Sequence, residues 1–560
     1  MNETYIIIGL VLFTLLVLII LKEYFDYKKR FRRAIELSKQ AFGKFSSKRL
    51  SLDELENVKK MFYRYIDEDS VDDITASDLS IDEIYEKLDV SLSAPGKQYF
   101  YYLLRNPKTN EKELNTLSGK VDYFENNVDK CHSLRAHFLK IGQMFKITFF
   151  DYLDLFENAG NKNLVKEFLV VIALFLGIGI IFVSVPIGVA VIIAAVCYNI
   201  IDYFGERGEI EAYLIALSYI VNFIKETNEI AKEDIPVLKD ELSELNNLYR
   251  ELKPITKNSY LVLARNKDLG AGNPLDMLLD YLRMLLHLDI ICFYFMVDRI
   301  CANKDKLEKL YYLLGKVESY VTIASVRKCF PRHCIPKTSE GINAVNIYHP
   351  LVENPVANSI SAEKGVLITG SNASGKSTFL KTIAVNYLFS KTMALALADE
   401  FSSDFYHIFS SMSLRDDIIS KDSYFMVEIK ALKRIFDYKQ SNPDTKILCF
   451  VDEVLRGTNT IERIAACTQI LRNLVEQDIL CFAATHDYEL TSLLSDSYDN
   501  YHFDEDIAGD DVIFSYVIKE GMATSRNAIK LLSIMGFDKD VVSRAKEMAD
   551  EFVSSGIWRG

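Results

Sequence analysis

The residues best suited to chemistry form one glycine-rich run that fits the spacing G-x-x-x-x-G-K-[ST]. An apolar run, 365–369, precedes it, and a helical pattern from Thr378 to Leu388 follows. Glycines in such a loop let backbone N–H groups turn inward around phosphate oxygens, and a helix N-terminus adds positive potential. We expect Lys376 to reach the β- and γ-phosphates and Ser377 to ligate Mg²⁺. The run therefore predicts a nucleoside triphosphate site, with a chance glycine-rich turn as the alternative. Its members are Gly370, Ser371, Asn372, Ala373, Ser374, Gly375, Lys376, Ser377 and Thr378.

Three polar side chains that follow apolar runs complete the set needed to hydrolyse a nucleotide. Asp452 and Glu453 end the run 447–451, which is continuously apolar, as a buried parallel strand should be. An acidic residue there can hold the Mg²⁺ water shell, and the next carboxylate can orient the attacking water. His486 follows the run 479–484, where a sensor of the γ-phosphate commonly lies. The alternatives are an acidic pair that opens a loop and a histidine that merely follows a strand.

Two apolar segments predict membrane attachment. Residues 5–21 carry no charge and are followed by six Lys or Arg before residue 34, so the positive-inside rule places that flank in the cytoplasm. Residues 168–201 are also uncharged and, as one helix, would be about 51 Å long, so we predict a hairpin of two spanning helices. Val185–Gly188 supplies its turn. The alternative is a buried helical hairpin in a soluble core. The apolar run 285–297 contains His287 and Asp289 and predicts a buried core helix instead.

Composition limits the functional classes. The 560 residues carry 65 basic and 78 acidic side chains, which gives a net charge of −13. The first 50 residues hold ten basic and four acidic side chains, so the residues after Leu50 carry a net charge of −19. Such an acidic body argues against a nonspecific DNA wrapper, whose affinity comes from neutralising phosphates. The nine cysteines include no Cys-x-x-Cys pair, which favours reduced thiols in a cytosolic body.

The elements around the site divide the chain into five predicted segments. Residues 50–166 have helical periodicity, and Gly205 and Gly208 are turn signals. The pattern of 209–252 predicts a helix that is interrupted at Pro236, and after Pro336 strands alternate with helices. The fold class is an α/β P-loop NTPase domain of ABC-like type, preceded by an all-α core and lever region with transmembrane helices. We predict a transmembrane helix with a basic juxtamembrane segment (1–50), a helical core (51–166), a transmembrane hairpin (167–202), a helical lever and core (203–335), and an ATPase domain with a helical dimerisation tail (336–560).

Four motifs in order make the chain resemble the MutS family of ATPases, whose members are known from DNA mismatch repair. They are the runs 370–378, 416–428, 451–460 and 484–491. The Leu-Ser-Gly-Gly-Gln signature of ABC transporters does not occur between the two nucleotide motifs. The likeness extends upstream to 348–350 and 356–358 and downstream through Ala545, and 92–97 with 103–107 resembles the family's core entry.

The resemblance implies further residue roles and a dimer. Ser423 would contact the γ-phosphate bound by the neighbouring subunit, so that two active sites lie at a homodimer interface. Val356 and Tyr516 fall where the family packs the adenine, with ordinary core positions as the alternative reading. The segment 527–552 would form a helical pair that braces the partner.

Departures from the family pattern shape the functional prediction. The mismatch-reading and connector domains are expected to be missing, the apolar hairpin interrupts the helical core, and no nuclease extension is expected after Gly560. Arg526-Asn-Ala528 replaces a Ser-Tyr-Gly and leaves that contact open. We predict a multi-pass cell-membrane ATPase, MutS-like, with its ATP and Mg²⁺ sites in the cytoplasm and mismatched or branched DNA as a candidate ligand. The alternatives are an ATP-driven mechanochemical membrane protein that does not bind DNA, and a nucleotide-binding scaffold that hydrolyses poorly.

Overall fold

The computed structural model describes residues 14, 21–22, 25–26, 28–144, 147–159, 164–257, 259–263, 281, 284–371, 374–412, 424–455, 459–508, 511–522, 529, 532 and 536–555. The chain forms two compact units. One comprises Met1–Tyr65, Asp89–Tyr102 and Gly119–Lys328, and the other Ile66–Leu88, Leu103–Ser118 and Cys329–Gly560. The predicted transmembrane helix within 5–21 lies almost entirely outside the described residues.

The described part of the first unit is helical, as the periodicity of 50–166 predicts. Helix α2 shows why such a helix begins where it does: Ser51 accepts a hydrogen bond from the Glu54 N–H while the Glu54 carboxylate accepts from the Ser51 N–H, which is a capping box. Among the described residues up to 329, the helices are α1 (28–41), α2 (Leu52–Arg64), α3 (Asp73–Asp78), α4 (Ile81–Leu88), α5 (Ala94–Leu104), α6 (Glu111–Asn126), α7 (Val128–Ile141), α8 (Phe149–Ala159), α9 (Leu164–Ile181), α10 (Val185–Ala231), α11 (Lys239–Thr256), α12 (Ser259–Leu263), α13 (Leu288–Ala302) and α14 (Lys304–Cys329).

The apolar segment forms the hairpin α9–α10, but two details predicted from the sequence are wrong. The turn lies at 182–184, and Pro186 stands in the first turn of α10, because proline is tolerated where a helix N–H has no partner to lose. Helix α10 also continues through Gly205 and Gly208 to span 47 residues, about 70 Å. Each glycine costs about 1 kcal/mol in a helix interior, which tertiary packing on both sides of the pair offsets. The predicted interruption at Pro236 is confirmed by a short 3₁₀ turn, Pro236–Leu238.

Two helical stretches are long and apolar enough to cross a membrane, Leu164–Ile181 and Val185–Gly208. Core helices of soluble proteins and signal sequences can meet the same criterion, so length and composition alone do not decide. In the 18-residue apolar window of each stretch, only 17% is buried within the protein.

Polar side chains gather at the base of the hairpin. His287, fully buried, contacts the Glu167 carboxylate through Nδ1 (2.6 Å) and donates from Nε2 to the Asn199 carbonyl oxygen (3.0 Å). The buried Asp289 accepts from the Tyr203 hydroxyl (2.9 Å) and from Arg207 (2.8 Å). The run 285–297 is thus confirmed as core: seven of the 15 residues of α13 are buried, and the polar residues His287 and Asp289 pair with the hairpin.

The second unit is an α/β domain whose main sheet has the order β5-β6-β7-β3-β8-β9. Neighbouring strands are parallel except β9, which runs antiparallel to β8, and a smaller antiparallel sheet has the order β2-β1-β4. The strands are β1 (Ile342–Ile347), β2 (Asn358–Ala362), β3 (Gly365–Thr369), β4 (Glu400–Ser403), β5 (His407–Ser411), β6 (Ile447–Asp452), β7 (Ile479–Thr485), β8 (Tyr498–Ala508) and β9 (Asp511–Glu520). After residue 329, the helices in the described part of the chain are α15 (Lys376–Thr392), α16 (Tyr424–Ser441), α17 (Thr460–Glu476), α18 (Glu489–Leu493) and α19 (Lys539–Ser555).

The central strands bring the predicted site residues to one edge. Thr369 of β3 is level with Thr485 of β7, and Asp452 of β6 is level with Ala484 of β7. Because these strands are parallel, the segments that leave their carboxyl ends start side by side, which is where open α/β sheets bind ligands. The three strands predicted from apolar runs are confirmed within one residue at either end.

Helices α3 and α4 precede the hairpin in the chain but pack with this second unit. Asp78, buried in α3, accepts hydrogen bonds from the Ser410 hydroxyl (2.7 Å) and the Met412 N–H (2.9 Å) at the end of β5. Arg434 of α16 donates to the Thr75 hydroxyl (3.1 Å) and to the Ser410 carbonyl oxygen (2.7 Å). These contacts fasten β5 and α16 to a segment that is remote in sequence.

Candidate nucleotide-binding site

The loop between β3 and α15 needs glycine at both of its ends. Gly370 has φ +150° and Gly375 has φ +106°, backbone conformations that L-residues rarely adopt. A Cβ on Gly370 would lie 2.9 Å from Ser374 Oγ and 3.0 Å from the Phe503 carbonyl oxygen. A Cβ on Gly375 would lie 3.2 Å from the Tyr516 ring. Helix α15 starts directly after Gly375 without a side-chain cap, so its first N–H groups are available to an anion.

Lys376 is held where a phosphate would bind. Its side chain is buried, and Nζ donates to the carbonyl oxygens of Gly370 and Ser371, both at 2.7 Å. Ser377 and Thr378, the next residues of α15, are exposed. Asn372 and Ala373, which the motif also includes, lie outside the described residues. The ammonium group is therefore fixed on the loop by the loop's own carbonyl groups.

The acidic pair leaves β6 beside this loop. Glu453 is buried, adopts a left-handed backbone (φ +53°) and donates its N–H to the Ala484 carbonyl oxygen (2.9 Å). His486, half exposed, has Nδ1 at 3.6 Å from Glu453 Oε2. The structure thus brings together the ends of β6 and β7 so that Glu453 and His486, predicted separately from the sequence, are neighbours.

A buried hydrogen bond that sequence reasoning missed holds the chain just after Glu453. Leu455, also in a left-handed conformation (φ +60°), donates its N–H to the Glu428 carboxylate of α16. Glu428 is buried and lies one turn before Leu432 and two turns before Ile435 on the face of α16 that packs into the core. A carboxylate on such an otherwise apolar helix face was the available signal, since it requires a partner.

A cavity of about 680 Å³ opens next to the loop, a size suited to a mononucleotide. Lys376, Ser377 and Glu453 line one side, and Val356 and Tyr516, both partly exposed, line another. Both residues that the resemblance places at the adenine therefore face the same cavity as the loop; their contact with a base stays a prediction.

Asn358 of β2 holds the backbone of β9 near the Tyr516 side of the cavity. Its amide donates to the Tyr516 carbonyl oxygen (2.9 Å) and accepts from the Ile518 N–H (2.9 Å). His349, buried in the cavity wall, has its pKa lowered to about 4 by burial and then by the positive charges of Lys381 and Lys87. It is therefore neutral near pH 7 and adds no charge to the site.

The residues present fit a magnesium nucleotide by their donor chemistry. Ser377 supplies a hydroxyl at the start of α15, and Asp452 supplies a carboxylate at the end of β6. Oxygen donors of this kind suit Mg²⁺, which keeps several waters and binds through few protein groups. Ser423 and the run 416–423 lie outside the described residues, as do 526–528 in the tail.

Comparisons with known proteins agree with the motifs. Residues 366–553 match the family model described as MutS domain V. The DNA mismatch repair protein MutS of Petrotoga mobilis is 28% identical over 267 residues, covering 44% of this chain and 31% of that protein. The DNA mismatch repair protein MutS of Pseudothermotoga lettingae is 31% identical over 271 residues, covering 45% of this chain and 33% of that protein. Human MutS protein homolog 4 is 26% identical over 276 residues, covering 45% of this chain and 29% of that protein. The chain spans about a third of the length of these curated relatives. In its C-terminal part, the chain is MutS-like.

Proposed function

We propose that this chain is a membrane-anchored ATPase that hydrolyses ATP with Mg²⁺ at the interface of a homodimer. One observation carries the proposal: the glycine-rich loop with its buried Lys376 and the pair Glu453–His486 meet at one edge of a parallel sheet, beside a cavity of about 680 Å³. The likeness to MutS domain V supports the choice of ATP.

The residues divide the reaction between binding and water activation. Loop N–H groups and Lys376 bind the β- and γ-phosphates, and Ser377 with Asp452 would hold Mg²⁺, which when bound offsets charge on the phosphate oxygens. Glu453 orients a water for in-line attack on the γ-phosphorus and accepts its proton, while the bond from phosphorus to the ADP oxygen breaks. His486, 3.6 Å from Glu453, can donate to a γ-phosphate oxygen and keep the carboxylate in place.

The sharpest test of this assignment is Glu453→Gln. The variant should still bind ATP, because Lys376, Ser377 and Asp452 are unchanged, while turnover falls by about 10²-fold as expected for loss of a water-orienting base. ATP binding is followed with a fluorescent analogue and hydrolysis by phosphate release. The matched control is Glu462→Gln, an exposed carboxylate at the start of α17, which should leave both values unchanged. Turnover near normal in Glu453→Gln would remove Glu453 from the mechanism.

The dimer follows from the role that the resemblance gives Ser423. If its hydroxyl completes the partner's site, ATP binding should favour association, since a ligand bound across an interface stabilises the dimer. Mixing Ser423→Ala with Lys376→Ala subunits tests this directly. Each heterodimer would have one site without both groups and one intact site, so mixing should restore activity that neither variant has alone. No recovery, with heterodimers confirmed by pull-down, would place Ser423 in its own subunit's site or outside the reaction.

The hairpin supports the membrane part of the proposal. Large apolar side chains along both helices are exposed, which a soluble protein rarely leaves over so wide an area. Among them are Phe168, Leu169, Ile172, Phe175, Leu176, Phe182, Val183, Ile187 and Ile193. We propose that this hairpin spans a membrane, with both of its ends and the ATPase unit in the cytoplasm.

DNA is a second candidate ligand, favoured by the similarity to the DNA mismatch repair proteins of Petrotoga mobilis and Pseudothermotoga lettingae. The acidic charge of the chain after Leu50 favours the alternative, a mechanochemical membrane ATPase that does not bind DNA. Filter binding with branched and linear DNA, at two salt concentrations and with and without ATP, separates the two. Binding that is saturable, ATP-dependent and stronger for branched DNA supports the first; no retention at low salt supports the second.

A further inference from the structure

A second ion pair lies directly behind the Glu453–His486 contact. Asp487 follows His486 in the chain, and both of its oxygens are held by Arg463 of α17: Nε donates to Oδ2 (3.0 Å) and Nη2 to Oδ1 (2.7 Å). The side chains are only 13% and 8% exposed. A planar guanidinium that grips both carboxylate oxygens fixes the orientation of the carboxylate as well as its position.

This pair is continuous with the site. Asp487 Oδ1 lies 3.8 Å from His486 Nε2, and His486 Nδ1 lies 3.6 Å from Glu453 Oε2. The imidazole is therefore placed between two carboxylates, one of which is held by Arg463. The backbone of Asp487 is also fixed, because its N–H donates to the hydroxyl of Thr485 (3.0 Å), the last residue of β7.

Arg463 is itself anchored at the beginning of α17. Its N–H donates to the Asn459 carbonyl oxygen (2.8 Å), and the Asn459 side chain caps the helix by accepting from the Ile461 N–H (3.0 Å). The Arg463 guanidinium thus links the first turn of α17 to the end of β7. The first turn of α17 in turn follows the segment after Glu453. Neither Arg463 nor Asp487 lines the nucleotide cavity.

We propose that Arg463 and Asp487 are positioning residues for ATP hydrolysis, which keep His486 directed at Glu453 and the γ-phosphate. The inference rests on the proposed function. With both of its oxygens held by Arg463, Asp487 can offer His486 only a long contact. Once Arg463 is removed, the freed carboxylate can turn toward Nε2, form a direct hydrogen bond with the imidazole and draw it away from Glu453. The pair should therefore affect turnover without affecting nucleotide binding.

The test compares kcat and KM for ATP in the full-length protein. Arg463→Met should lower kcat by about 10-fold while KM for ATP stays within about threefold, because the Arg463 side chain does not line the nucleotide cavity. Arg463→Lys, which keeps the charge but not the bidentate contact, should have a kcat between those of Arg463→Met and the unmodified protein. The matched control is Arg472→Met on the same helix, which breaks the contact of Arg472 with Asp496 (3.7 Å) and with the Leu493 carbonyl oxygen (2.8 Å). It should leave kcat unchanged.

A role in folding alone gives a different pattern. The exchanged pair Arg463→Asp with Asp487→Arg restores an ion pair and should recover kcat to within about threefold of the unmodified protein if the pair acts by orienting His486. An unchanged kcat in Arg463→Met overturns the inference. So does a fall in kcat of equal size in Arg472→Met, or a fall in kcat of Arg463→Met that is fully explained by a lower melting temperature. If the exchanged pair does not fold, the ranking of Arg463→Lys between the unmodified protein and Arg463→Met decides, and a Lys variant no better than Met overturns the inference. Absence of hydrolysis by the unmodified protein would instead refute the proposed function, and this inference with it.

Discussion

The hydrogen bond from the Leu455 N–H to Glu428 makes a prediction whose size follows from the structure. Glu428 is 4% exposed and Leu455 is 5% exposed, so water cannot replace either partner. Leu455 follows β6 with φ +60°, and its N–H is therefore not part of the strand ladder. Glu428→Ala removes a charged acceptor and leaves a buried donor unsatisfied.

The expected cost is about 2–3 kcal/mol, the value for a hydrogen bond to a charged group whose partner is left buried. Glu428→Gln keeps an acceptor oxygen but loses the charge, so its cost should be about 1 kcal/mol. At about 1.4 kcal/mol per factor of ten, these values correspond to a local opening about 30- to 150-fold more frequent in the alanine variant and about fivefold in the glutamine variant.

Amide hydrogen exchange of the peptide that spans Glu453 and Leu455 measures this opening. Exchange should be fastest in Glu428→Ala, slower in Glu428→Gln and slowest in the unmodified protein. Turnover should be lowest in Glu428→Ala and highest in the unmodified protein, because Glu453 lies two residues before the freed N–H. The exposed Glu462→Ala on α17 is the control and should change exchange there by less than about twofold. Protection at Leu455 that is equal in Glu428→Ala and in the unmodified protein would show that this bond does not hold the segment.

Three further predictions concern stability, the loop and topology. His407→Phe should make the second unit less sensitive to acid. Burial lowers the pKa of His407 in the folded state to about 4, so the unfolded state, with its ordinary pKa of 6.5, binds the proton first as the pH falls. Between pH 8 and pH 5 the free energy of unfolding should therefore fall by about 2 kcal/mol more in the unmodified protein than in the variant. Gly375→Ala should weaken binding of a fluorescent ATP analogue by about 10-fold or more, because alanine at φ +106° is strained and its Cβ would press on the Tyr516 ring. Ser184→Cys, in the turn of the hairpin, should react with an impermeant thiol reagent added outside intact cells, provided that the exposed Cys197 has first been replaced by alanine.

Each of these has a control within the chain. Tyr438→Phe removes the hydroxyl that lies 3.2 Å from His407 Nδ1 but keeps the histidine, so the acid sensitivity should remain; its disappearance would assign the effect to that hydrogen bond. Gly521→Ala places alanine at φ +93°, where no atom of the described residues lies within 4 Å of the new Cβ. Equal affinities of the two glycine variants would exclude a special need for glycine at 375. Ser554→Cys in α19 should be labelled only after lysis. Labelling of both cysteines only after lysis would mean that the hairpin turn does not reach the outside.

The central strands and the loop could be predicted from the sequence because local patterns determine them. Strands β3, β6 and β7 are short, continuously apolar and followed by polar residues, and the loop spacing carries its own backbone requirement. Parallel strands with common direction then bring Lys376, Glu453 and His486 to one edge without any further information.

Other features depend on contacts that are remote in sequence. Asp78 binds Ser410 across 332 positions, and nothing near α3 in the chain indicates that this helix packs with the second unit. Gly205 and Gly208 are turn signals by composition, yet α10 passes through them because buried residues on either side, such as Tyr203 and Ile210, keep it packed. Propensity is a weak prior that tertiary packing overrides.

The two residues with unfavourable backbone conformations after β6 show where local rules fail for a functional reason. Glu453 and Leu455 both have positive φ without being glycine, which costs of order 1–2 kcal/mol each. Glu453 makes the last ladder hydrogen bond between β6 and β7, from its N–H to the Ala484 carbonyl oxygen. The bend after it persists because the Leu455 N–H is held by Glu428, outside the strand ladder. The bend turns the Glu453 side chain into the nucleotide cavity instead of along the sheet edge. Releasing the hydrogen bond between Leu455 and Glu428 should therefore move the proposed catalytic carboxylate before it unfolds the sheet.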